Sequence, residues 1–145
     1  MWNYELGRNV HMLSRLLKRN TDIEVTKYGI TGVQSAMIGF IYEKSRKKDV
    51  FAKDIEKAFD LRRASSAGLI QNMEKNGLIK REMVGNDARL KKIVLTEKAL
   101  ELRKKLDKSI KNTEKKMQEG LTKEEVEKYI ELTEKMSKNL EKRRG

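Results

Sequence analysis

"RRASSAGLIQNMEKNGLIKREMVGNDARLKKIVL", residues 62–95, changes its period halfway along. Its first half sets Leu69, Ile70 and Met73 at helical spacing, and Gly77 stands where such a helix needs a C-cap. Its second half reads as two short strands, "LIKREMV" and "LKKIVLT", closed into a hairpin over 78–95. Gly85-Asn86-Asp87 between them is turn chemistry: Gly permits positive φ, and Asn and Asp fold a side chain back onto the backbone. A turn needs no Arg89 at its tip and no Lys91 and Lys92 just beyond. Those three cations ask for a partner outside the fold.

Upstream, "VFAKDIEKAF" (50–59) gives a short helix with Ala52, Ile55 and Phe59 facing inward, broken at Asp60-Leu61. A short helix, a tight turn, a second helix and a hairpin form a winged helix-turn-helix. In that unit the first helix braces, the second enters the major groove and the wing reaches the backbone or the adjacent minor groove. The charge agrees: residues 61–92 hold eight basic side chains against three acidic ones. Before this unit, Thr31 is expected to N-cap a helix with Val33, Ala36, Met37, Phe40 and Ile41 on one face, ending in "EKSRKKD". Residues 4–27 form a long amphipathic helix with Leu6, Val10, Leu13 and Leu17 on one side and Arg8, Arg15, Lys18 and Arg19 on the other.

Beyond the hairpin, Thr96 is expected to cap a helix with the stripe Ala99, Leu102, Leu106, Ile110, Thr113 and Met117. Gly120 breaks it, and Thr122 with Glu125 makes a capping box for a last helix bearing Val126, Tyr129, Ile130, Thr133, Met136 and Leu140. Narrow apolar stripes at both ends of the chain predict a homodimer. The expected fold is therefore mainly α with a small β-hairpin wing. It forms a single domain over 1–145, with dimerisation helices at 1–30 and 96–145 flanking a DNA-binding lobe at 31–95.

Composition bounds the function. A formal net charge of +12 over 145 residues points to a polyanionic partner, either nucleic acid or an anionic surface. No apolar run has membrane-spanning length, and "MWNYELGRNVHML" carries charges where a signal peptide is apolar, so a cytoplasmic protein with no membrane partner is expected. The absence of cysteine excludes disulfides and thiolate metal sites, and one histidine, His11, is too few for a typical zinc site. Neither a Gly-rich phosphate loop nor a clustered His–carboxylate set is present, so no enzyme, cofactor or catalytic residue is expected.

"YGITGVQSAMIGFIYE", "LRRASSAGLIQNMEKNGLIKRE" and "NDARLKKIVLTEKA" together resemble the MarR family of bacterial transcription regulators. The most specific pieces are "MEKNGLIKR" and the wing Asp-x-Arg followed by Leu-Thr-Glu-Lys. The resemblance implies a dimeric winged helix-turn-helix repressor or activator of double-stranded DNA, often under small-ligand control. It places Asp87 and Arg89 on the wing Asp and Arg, the Asp orienting an Arg that enters the minor groove. Arg89 suits a narrow, electronegative groove, and Lys91 and Lys92 suit flanking phosphates.

At the start of the recognition helix, Arg62, Arg63, Ser65 and Ser66 are the candidates for base edges and phosphates, with Gln71 farther along. Gly68 departs from the family, which commonly has a larger polar or basic residue there. Effectors in the family often bind where the DNA-binding lobe meets the dimer helices, and His11, Met12, Arg15 and Met37 are the residues expected to line such a crevice. The alternative from another class is a basic module, architectural on nucleic acid or attached to an anionic surface. A membrane-surface role needs bulky aromatics on an apolar helix face, and only Trp2 and Tyr4 offer them.

Overall fold

The computed structural model describes residues 4–141; Trp2 lies outside them. Among these residues the elements are α1 (Glu5–Thr26), α2 (Gly32–Ser45), α3 (Ala52–Ala58), α4 (Arg63–Lys75), β1 (Ile79–Val84), β2 (Asp87–Leu95), α5 (Glu97–Met117) and α6 (Lys123–Glu141). This is the mainly helical fold with a hairpin wing that the alternating periods predict. The chain divides within α5 into two compact units, one up to Ile110 and one from Lys111.

Local chemistry starts and stops these helices where the sequence says it should. The Thr31 hydroxyl accepts from the Gln34 N–H at 3.1 Å, and the Gln34 side chain accepts from the Thr31 N–H at 3.0 Å, a reciprocal capping box. Thr122 and Glu125 form the same box ahead of α6, at 3.1 and 2.8 Å. Thr96 caps α5 by accepting from the Ala99 N–H at 3.2 Å. At the end of α4, Gly77 takes φ +73°, the Leu78 N–H reaches the Met73 carbonyl at 2.9 Å and the Gly77 N–H reaches Glu74 at 3.1 Å. These two bonds are the Schellman pattern, and they turn Leu78 into the core.

The core of the first unit joins Met37, Ile38 and Ile41 of α2 to Val50, Ile55 of α3, and Ile70 and Met73 of α4. Leu78, Ile79, Ile93 and Leu95 of the hairpin and Ala99 and Leu106 of α5 complete it. Two expectations for inward faces are corrected. On α2, Val33 and Ala36 are exposed while Ile38 is fully buried, because α2 is covered on more than one side and has no single apolar stripe. On α3, Ala52 is exposed and Ile55 carries the packing, with Phe59 half-buried edge-to-face on Phe40 at 5.6 Å.

The turn between α3 and α4 places Asp60 at φ +52°, a left-handed conformation that Asp tolerates better than most residues, and the Leu61 N–H donates to the Glu56 carbonyl at 2.9 Å. In the hairpin, Val84 pairs with Asp87 across a two-residue loop whose first member, Gly85, has φ +59°. Asp87 thus opens β2 rather than closing the turn. The register then breaks: Met83 pairs with Lys91, leaving Ala88, Arg89 and Leu90 of β2 without partners on β1. Lower in the wing, the Ile93 N–H donates to the Val50 carbonyl at 2.7 Å, tying the segment before α3 to the sheet.

α1 buries only Val25 among the described residues, and α6 buries none. Leu6, Val10 and Leu13 on the one, and Tyr129, Ile130 and Leu140 on the other, are exposed large apolar side chains.

Candidate nucleic-acid interface

The start of α4 presents a bare helix terminus with cations around it. Arg62 is the N-cap residue, extended at φ −73° and ψ 155°, and makes no side-chain cap. Arg62, Arg63 and Ser65 are exposed, as are Gln71 and Asn72 farther along. Free N–H groups, the positive end of the helix dipole and two guanidinium groups together favour a phosphate. Gly68 is exposed too, and beyond its own helix backbone a side chain there would meet nothing within 4 Å. No packing demand explains this glycine.

Ser66 behaves differently from its neighbour. It is 1% exposed, with its hydroxyl 3.2 Å from the Glu56 carboxylate of α3 and 3.1 Å from the Arg63 carbonyl. The expectation of a phosphate contact at Ser66 is corrected: one step along a helix rotates a side chain by about 100°, which carries Ser66 into the packing against α3.

In the wing, Asp87, Arg89 and Lys91 are exposed. The Asp87 carboxylate accepts from the Arg89 backbone N–H at 2.9 Å, closing the unpaired stretch of β2 on itself. The bond is to the main chain, so Asp87 shapes the loop from which the Arg89 side chain projects. Lys91 and Lys92 part company, because successive strand residues face opposite sides. Lys91 shares its side with buried Ile93 and Leu95, the side turned toward the helices. Lys92 is on the other side, its ammonium 3.7 Å from Asp49 and about one-third exposed. Lys92 thus pairs with the segment before α3, whereas Lys91 stands exposed.

A further contact joins α4 to the wing. Arg81 of β1 lies 3.6 Å from Glu74 of α4 and links wing to helix. Sequence reasoning missed it, since nothing local pairs two residues from different elements.

The four residues expected to line an effector crevice do not meet in one. His11, Met12 and Arg15 lie exposed along α1, whereas Met37 is fully buried in the core. Of the other recesses in the first unit, two lie between helices. One, of 260 Å³, lies between Lys18, Thr21 and Asp22 of α1 and Gly32, Val33 and Ala36 of α2, with Phe59 beside them. The other, of 190 Å³, runs between Ser35, Gly39 and Glu43 of α2 and Arg103 and Asp107 of α5. Arg103 stacks 3.4 Å over the Tyr42 ring and lies 3.8 Å from Glu43. Among the described residues no cluster of His and acidic groups could hold a metal ion, and no helix is long and apolar enough to cross a membrane.

Known proteins share this arrangement. The profile of the MarR family matches residues 28–90. The transcription regulator MarR from Oenococcus oeni PSU-1 is 30% identical, with 92% of this chain and 98% of that one covered and a TM-score of 0.75. S. aureus MepR, in a complex with DNA, is 25% identical over 95% of this chain and 96% of its own, with a TM-score of 0.83. A regulator from Listeria monocytogenes complexed with a 26mer DNA shares the fold, at 21% identity, 97% and 90% coverage and a TM-score of 0.82. On the identity and near-complete coverage of the first of these, joined to the helix-turn-helix and wing described above, the chain belongs to the MarR family of winged helix-turn-helix transcription regulators.

Proposed function

We propose that the chain is a homodimeric, sequence-specific DNA-binding regulator that represses transcription from a palindromic operator in the cytoplasm. The observation that carries this reading is the pairing of two exposed basic features on one lobe: the uncapped start of α4 with Arg62, Arg63 and Ser65, and the wing with Arg89 and Lys91. The MepR complex with DNA supports it by likeness. In this reading α4 lies in the major groove, Arg89 enters the flanking minor groove and Lys91 holds a phosphate. Lys92 and Ser66 serve the scaffold.

The exposed apolar faces of α1 and α6 support self-association, since a solvated monomer rarely keeps such area uncovered. Two-fold symmetry then sets half-sites about one helical turn, ~10 bp, apart or a small multiple of it. Small-molecule control is part of the proposal. The α1–α2 recess beside Lys18 and Asp22 is a better candidate for the effector than the set around His11, because its lining residues share one cavity.

Genomic footprinting with the purified protein, beginning at its own upstream region, tests the reading. An inverted repeat protected in competition with bulk DNA is expected. Protection without symmetry, or binding that depends on salt alone, would support the architectural alternative instead.

A further inference from the structure

The chain has seven methionines and no cysteine, so any response of its sulfur to oxidants belongs to thioethers. Met37 and Met73 are sealed in the core. Met12 and Met117 are exposed on α1 and α5 and Met136 is half-buried on α6, helices whose apolar faces the dimer would cover, and Met1 lies outside the described residues. Met83 is different. It is 50% exposed on β1, directly across from Lys91, at the last paired position before the register breaks toward Arg89. Strand alternation puts Met83 on the same side as Ile79 and Arg81, the side that the wing turns toward α4. An apolar thioether thus stands beside the lysine that would hold a phosphate, with the Arg81–Glu74 link just behind it.

We propose that Met83 is an oxidant-responsive site on the DNA-reading side of the wing, and that its conversion to the sulfoxide weakens operator binding. This rests on the DNA-binding reading above. The oxidant is a hydroperoxide. A sulfur lone pair attacks the terminal peroxide oxygen, the O–O bond breaks as the S–O bond forms, and the proton shed by the transferred oxygen passes to the departing oxygen, which leaves as water or an alcohol. Sulfur gives up two electrons and the peroxide receives them. The new S–O oxygen is a strong acceptor one cross-strand spacing from the Lys91 ammonium, about 5 Å between Cβ atoms. It competes with phosphate for that ammonium, and its own partial negative charge faces the DNA backbone. Both effects have the same sign. Reductases specific for the two sulfoxide epimers reverse the change.

The test uses the full-length protein and its Met83→Leu variant, each with and without hydrogen peroxide, titrated against operator and scrambled duplexes at two salt concentrations. Peptide mass spectrometry follows each methionine. Treated wild type should lose roughly ten-fold in operator affinity, the scale of one charge-assisted contact, and its salt slope should fall by about one. Sulfoxide reductase should restore both, and treated Met83→Leu should keep its affinity. Bound operator should also slow the oxidation of Met83. Full oxidation of Met83 without loss of affinity, or an equal loss in Met83→Leu, overturns the proposal. An untreated protein that selects no operator overturns the regulator reading itself, and this inference with it.

Discussion

Asp87 occupies a position that its charge alone argues against, because an acid at the wing tip repels phosphate. Its hydrogen bond to the Arg89 main chain, at 2.9 Å, supplies the reason to keep it. Asp87→Ala is therefore expected to weaken operator binding by roughly ten-fold despite the gain in net positive charge, since one bond to a charged acceptor is lost. Arg89→Ala should weaken it at least as much, most at sites with an A·T-rich flank. Titration against operator and scrambled duplexes decides this; tighter binding by Asp87→Ala would show that net charge governs. The two wing lysines make a second prediction. Lys91→Ala should lower the salt slope by about one, whereas Lys92→Ala, already paired with Asp49, should leave it nearly unchanged. Equal slopes for both variants would mean that the Asp49 pair opens on DNA. Buried Ser66 gives a third: Ser66→Ala should cost about 1–3 kcal/mol in urea unfolding, because the Glu56 carboxylate loses a donor.

At the scale of the element, α4 is defined by its ends. Gly77 holds φ +73° so that Leu78 can turn into the core, and an L side chain in that conformation costs about 1–2 kcal/mol. Gly77→Ala should therefore lower stability by about that amount, read as a shift of the denaturant midpoint. Gly68 is the informative contrast. It is mid-helix with open space around it, so Gly68→Ala should raise stability by about 1 kcal/mol. If that more stable variant binds operator more weakly, the missing methyl is explained by close approach to DNA. Unchanged or improved binding would leave the glycine without a functional reason. The wing is tuned in the same local way: a two-residue loop, a Gly at its first position and an unpaired stretch that carries Arg89 out of the ladder.

The whole molecule is dominated by what it leaves uncovered. Leu6 at 60% and Leu140 at 71% exposure are extremes of apolar faces that run along α1 and α6. Obligate dimerisation is expected to remove that area from water. Sedimentation should find a dimer at micromolar concentration, and Ile130→Glu should give monomer with a large loss of operator affinity, because two half-sites are no longer bound together. A wild-type protein that sediments as a folded monomer would remove the symmetric mode of binding as well.

Much of this protein was legible in the residues because the forces that decide it act over a few positions. Thr31, Thr96 and Thr122 cap helices through bonds to residues three places on, and Gly77 ends one through its own φ. The change from helical to alternating period marks the hairpin, and Asp87 and Arg89 stand two residues apart in one loop. Tertiary structure decided which side of each element meets another. Met37 was expected both on the apolar face of α2 and at a crevice and is core alone, and Val33 was expected on that same face and is exposed, because α2 is packed on more than one side. Ser65 and Ser66 are alike as residues, yet α3 takes one and leaves the other to solvent. Lys92 pairs with Asp49, Arg81 with Glu74 and Ser109 with Glu24, partners remote in sequence or on separate elements. Short-range hydrogen bonds and backbone sterics are written in neighbouring residues. The choice among equally polar faces is made only when distant elements compete to bury their apolar sides.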